Sequence, residues 1–192
     1  MKEMIASRIG ETATMMHAML DNQRLIEAVE VVAQRCISAL RGGKKILFAG
    51  NGGSAADCQH LAGELVSRFA FDRPGLPAVA LTTDTSVLTA IGNDYGYEKL
   101  FARQIQALGV TGDVLFALST SGNSPNVLAA LQAAREKGLV TVGLTGTSGG
   151  QMPGLCDHCI YIPSNDTPKI QEGHIVVGHI VCGLIESALF GD

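Results

Sequence analysis

Nowhere does the chain run for roughly 18 uninterrupted apolar residues, the minimum for a helix that crosses a bilayer, so no membrane-spanning segment is expected. The first residues, MKEMIASRIGETA, lack the long apolar core of a secretory signal. A cytoplasmic location is therefore the default expectation. There is no cluster of lysine and arginine, and the formal net charge is -4. A nucleic-acid groove needs a basic footprint, so that class of partner is not expected. The five cysteines are an odd number, which argues against a disulfide framework. Cys156-Asp157-His158-Cys159 has C-x-x-C spacing, but the motif stands alone and opens an apolar run. It reads as reduced structural thiols at a strand start. Internal repeats, low-complexity tracts and linkers are also missing.

What remains is an ordinary globular composition, 46% hydrophobic and 17% charged. At 192 residues the chain suits one domain with a substantial core. Glycine is frequent, with 23 residues, mostly in turns that follow apolar runs. Residues 2–20 and 22–41 carry apolar side chains at three- and four-residue spacing and predict two helices. Asp21 or Asn22 separates them, and Gly42-Gly43 ends the second.

From residue 46 onward, strand and helix patterns alternate. Strands are expected at 46–50, 78–82, 113–119, 139–145 and 158–163. Helices are expected after Gly53, from about Val87 to Ile91, from Glu98 to Leu108, from Pro125 to Lys137 and over 170–190. Gly92-Asn93-Asp94-Tyr95-Gly96 is expected to interrupt the first of the middle helices. Ser124 followed by Pro125 is a helix-start signal. Such alternation implies a parallel sheet with helices on both sides, and ligands in these sheets bind beyond the carboxyl ends of the strands. Three turns rich in glycine or hydroxyls fall at those ends, at 50–54, 83–86 and 119–124.

Ser119-Thr120-Ser121-Gly122-Asn123-Ser124 offers four hydroxyls next to a helix start, an arrangement suited to a phosphate. It holds no lysine or arginine, and no G-x-x-x-x-G-K occurs, which argues against a P-loop nucleotide site. His60 and Glu64 are four residues apart and share one helix face. They could be metal ligands, or simply a solvated pair. Gln171 and His179 are eight apart, about 80° around a helix. Polar groups in so apolar a segment need partners, because burying them unpaired costs a few kcal/mol. Those partners could be an interface network, a metal or a substrate.

Gly50-Asn51-Gly52-Gly53-Ser54-Ala55, the 119–124 hydroxyl turn and Ile170-Gln171-Glu172-Gly173-His174, in this order and spacing, resemble the sugar isomerase (SIS) domain family. The likeness is strongest to its sedoheptulose 7-phosphate isomerases, also called phosphoheptose isomerases, and it extends over the whole chain. The resemblance implies a three-layer αβα sandwich on a five-stranded parallel sheet, a single SIS domain over 1–192, and N-terminal helices 1–41 packed on the core or a neighbouring subunit. It implies a homotetramer with active sites between subunits. The implied reaction converts sedoheptulose 7-phosphate to D-glycero-D-manno-heptose 7-phosphate, toward the heptose of bacterial lipopolysaccharide. His60, Glu64, Gln171 and His179 correspond to a zinc site, and Glu64 and His179 to the acid–base pair. Asn51, Gly52, Gly53, Ser54, Asn93, Asp94, Ser119, Thr120, Ser121 and Ser124 correspond to substrate contacts, with Glu64 and Gln171 joining them. Some members carry an acidic residue close before the Ile-Gln pair; here the stretch is Asp166-Thr167-Pro168-Lys169. The rival reading is a non-catalytic SIS protein that binds a protein partner such as the replication initiator.

Overall fold

The computed structural model describes residues 1–191; Asp192, the last residue of the expected 1–192 domain, lies outside them. Two helices come first, α1 over Lys2–Leu20 and α2 over Gln23–Arg41. Asn22 caps α2 by accepting the Leu25 N–H at 3.2 Å. The chain then alternates through β1 (Ile46–Gly50), α3 (Gly53–Val66), β2 (Ala78–Ala80), α4 (Thr85–Tyr95), α5 (Leu100–Leu108) and β3 (Val114–Leu118). It ends with α6 (Pro125–Glu136), β4 (Val140–Thr145), β5 (His158–Tyr161) and α7 (Thr167–Phe190).

All strand pairs are parallel, in the order β2-β1-β3-β4-β5. Successive strand residues point to opposite faces. Ile46, Phe48, Val114, Phe116, Val142 and Leu144 turn toward α2, α3 and α7 and share one buried cluster with them. Leu47, Ala49, Leu115 and Ala117 turn toward α4, α5 and α6 in a second cluster. The central strands β1 and β3 are buried along their whole length, as expected where helices cover both faces. Met15 and Met19 join α1 to the first cluster.

Three details differ from the expectations. First, α4 runs through Gly92 to Tyr95 instead of breaking there. Gly92 costs a helix about 1 kcal/mol, which is too little to end it, and the chain breaks at Gly96, where φ is +83°. Second, Ser124 occupies the N-cap of α6 but makes no capping bond; its hydroxyl pairs with Ser119 Oγ at 2.9 Å. Third, α7 is, among the described residues, long and apolar enough by length and composition to cross a membrane. The expectation counted uninterrupted apolar runs, and His174 and His179 break the run without making the helix polar overall. Its inner side packs into the first cluster, while Ile180 and Leu184 remain 47% and 43% exposed.

Candidate active site

The chain leaves β1 for one side of the sheet and β3 for the other, so a crevice opens beyond their carboxyl ends. Gly50 lies in register with Leu118, which brings the glycine turn and the hydroxyl turn together. Asn51 and Asn126 lock the two by a reciprocal amide pair, with Asn51 Nδ2 donating at 2.8 Å and Asn126 Nδ2 donating at 2.9 Å. Tyr97 Oη donates to the same Asn51 oxygen at 2.9 Å. Beside them opens a cavity of about 470 Å³ bordered by Asn51, Gly52, Thr82 and Tyr97.

In the hydroxyl turn, Ser119 is buried beside Ser124, Thr120 is half-buried and Ser121 is exposed. Gly122 has φ +65°, and a Cβ there would stand 1.9 Å from the Gly149 carbonyl oxygen. The turn therefore closes only with glycine at that position. Ser54 is buried in the first turn of α3.

Helix spacing puts His60 and Glu64 on one side of α3, and α7 packs against that side at Leu61 and Gly178, where a Cβ on Gly178 would meet Leu61 at 2.6 Å. This close approach delivers His179. His60 Nε2 and His179 Nε2 are 2.8 Å apart, with their rings edge-on at 70°. Glu64 Oε1 is 3.4 Å from His60 Nε2. Asp57, one turn earlier on α3, adds a carboxyl whose Oδ2 is buried without a partner. Burial pushes its affinity for a proton up, and the His60 and His179 imidazoles oppose that.

Two imidazoles and a carboxylate form an ordinary zinc donor set with one open position. Ligand atoms about 2.0–2.1 Å from a tetrahedral ion stand roughly 3.3 Å apart. The Glu64–His60 separation matches that figure, whereas the imidazole nitrogens are closer, at a hydrogen-bonding distance. Among the described residues no three such side chains already surround a common point. The donors fit a cation once the two rings part by about half an ångström.

A buried ion pair fixes the two helices. The side chains of Arg73 and Glu186 are each 1% exposed and meet at 3.0 Å. Arg73 donates to the carbonyls of Glu64 and Leu65 at 2.8 and 2.6 Å, closing the end of α3. Glu186, two turns beyond His179 on α7, accepts the N–H groups of Phe69 and Ala70.

Of the expected zinc residues, His60 lies 2.8 Å from His179 and 3.4 Å from Glu64 within one chain. Gln171 does not join them: it lies eight residues before His179, about 12 Å along the axis. Its amide rests over Gly53, where a Cβ would stand 2.7 Å from Nε2. That places it at the glycine turn. Asn93 and Asp94 are exposed on α4, and Asn93 Nδ2 donates to Asp94 Oδ1 at 2.7 Å. The expectations gave no role to Asp57, Tyr97 or Asn126. For Asp57 a signal existed, since it precedes His60 by three residues on the same helix.

The SIS domain family matches residues 5–146. Phosphoheptose isomerase from Burkholderia pseudomallei (strain 1710b) is 65% identical over 187 residues, covering 97% of this chain and 95% of its own length. The phosphoheptose isomerase of Aneurinibacillus thermoaerophilus is 58% identical over 190 residues, covering 99% and 96%. The solved structure of phosphoheptose isomerase from Neisseria gonorrhoeae superposes with a TM-score of 0.91 at 42% identity, covering 97% of this chain and 98% of that one. Fold, turns and similarity together define a SIS-domain protein. Within that family the chain belongs to the phosphoheptose isomerases, and it is an aldose–ketose isomerase. The non-catalytic alternative is set aside by the same relatives.

Proposed function

We propose that this enzyme converts sedoheptulose 7-phosphate to D-glycero-D-manno-heptose 7-phosphate in the cytoplasm, as an early step toward the heptose of bacterial lipopolysaccharide. The observation that carries the reading is the convergence of His60, Glu64 and His179 from two helices, in a chain whose turn with four hydroxyls follows β3.

Isomerisation moves a proton between C1 and C2 through an enediol, so a base must lift a carbon-bound proton and a second group must move the oxygen protons. Glu64 is the base and His179 the partner acid–base. Ser119, Thr120, Ser121 and Ser124 hold the phosphate, supplying hydroxyl donors where no cationic side chain is present. Asn51, Gly52, Gly53, Ser54 and Gln171 line the sugar, and Asn93 and Asp94 complete its contacts. His60, Glu64 and His179 would hold a zinc ion. When bound, zinc acts as a Lewis acid on the sugar oxygens. Asp57 places a carboxyl near the two imidazoles. The working form is a homotetramer, a reading supported by the apolar outer side of α7.

The test is incubation with sedoheptulose 7-phosphate while the aldose is followed by NMR. Product should accumulate with the wild type. Glu64→Gln should lower turnover by about 10²–10⁴-fold, the usual contribution of general acid–base catalysis. Folded protein that forms no aldose would reject the reaction, and near-normal turnover in the variant would reject Glu64 as the base.

A further inference from the structure

Two cysteines that the isomerisation does not use converge on one glycine. Cys159 of β5 lies in register with Gly143 of β4, and Cys156 leaves the turn just before β5. A Cβ on Gly143 would stand 2.6 Å from Cys156 Sγ and 3.4 Å from Cys159 Sγ. The two sulfurs thus occupy the space a side chain would take, side by side over the strand. Both side chains are half-buried, and both cysteines are free thiols. A groove of about 290 Å³ bordered by Arg24, Cys159 and Tyr161 runs alongside β5.

We propose that Cys156 and Cys159 form a reversible thiol–disulfide pair, with Cys159 as the attacking sulfur and a small peroxide as the oxidant. The C-x-x-C spacing is the one redox pairs use. The neighbouring Cys156 thiol and Tyr161 hydroxyl hold the Cys159 thiol below its usual value. The Cys156 thiol is pushed up by the neighbouring Cys159 and by burial. Cys36 and Cys58 are pushed up by burial, and Cys182 to about 12 for the same reason, so these three are poor nucleophiles.

The chemistry balances with hydrogen peroxide. The Cys159 thiolate attacks one peroxide oxygen and the O–O bond breaks. The departing hydroxide takes up the proton that Cys159 lost and leaves as water, giving a sulfenic acid. Cys156 sulfur then attacks Cys159 sulfur and the S–O bond breaks. A second water departs with the Cys156 proton. Two thiols lose two electrons in all, and the peroxide is reduced to water.

The test treats the folded full chain with graded hydrogen peroxide, blocks remaining thiols, reduces, labels with a second alkylating reagent and maps peptides by mass spectrometry. Cys156 and Cys159 should be lost together and recovered together on reduction, while Cys36, Cys58 and Cys182 keep the first label. Without peroxide, Cys159 should alkylate at least about tenfold faster than Cys182. In Cys156→Ser, Cys159 should stop at the sulfenic acid and be captured by a dimedone-type probe. Unlinked over-oxidation of either cysteine in the wild type, or Cys159 labelling no faster than Cys182, would overturn the proposal.

Discussion

A single methyl group at position 53 would reach the Gln171 amide, the movable end of a flexible side chain, at 2.7 Å. Gly53 begins α3 with ordinary helical geometry, so alanine there should hold or raise stability, by up to about 1 kcal/mol. Gln171 should nevertheless be displaced from the glycine turn. Gly53→Ala is therefore expected to raise KM for the sugar phosphate with an unchanged or higher midpoint in urea; an unchanged KM would remove Gln171 from substrate binding. His174 behaves differently. It is fully buried, neither ring nitrogen has a well-formed partner, and burial lowers its pKa to about 4, with the Thr145 backbone only slightly opposing. An unfolded histidine takes up its proton near pH 6.5. The folded form does so only near 4, so stability is full above about 6.5 and falls as pH drops through that window. The loss should reach about 3 kcal/mol by pH 4. Urea unfolding from pH 7 to 4.5 checks this, and His174→Leu should flatten the slope. Residue types made His60, Glu64 and the hydroxyl turn legible in the sequence. Asn126 and Tyr97 were not, because they meet Asn51 only once β1 and β3 are neighbours.

At the scale of elements, the meeting of His60, Glu64 and His179 rests on how α3 and α7 are held. Arg73 closes the end of α3 and Glu186 collects the N–H groups that follow it. Removing one partner of a buried pair strands the other, at a cost of about 3–5 kcal/mol. Arg73→Leu should lower the unfolding free energy by that amount in urea titrations, and a change below about 1 kcal/mol would show the pair to be dispensable. Strand and helix order was readable from apolar runs and glycine turns. The end of α4 was misplaced because Gly92 resembles a breaker in sequence, while the positive φ that ends the helix falls at Gly96. Ser124 does stand at the N-cap position of α6. A serine before a proline signals a cap, but its hydroxyl had a nearer partner in Ser119.

For the whole molecule, the outer side of α7 leaves apolar surface exposed. Ile180 and Leu184 are one turn apart and exposed, and Val66 on α3 is 54% exposed. Leu184→Lys should dissociate the proposed tetramer in size-exclusion chromatography with light scattering; an unchanged mass would place the interface elsewhere. The αβα architecture was legible because buried parallel strands read as continuous apolar runs. Which residues meet across the crevice was not, since that depends on strand order. The central claim is that His60, Glu64 and His179 hold one cation beside the sugar phosphate. Its most direct test is anomalous scattering at the zinc edge from crystals of zinc-loaded, active enzyme. A peak about 2.0–2.2 Å from both Nε2 atoms and a Glu64 oxygen is expected. Active crystals with no peak between these three side chains would contradict it.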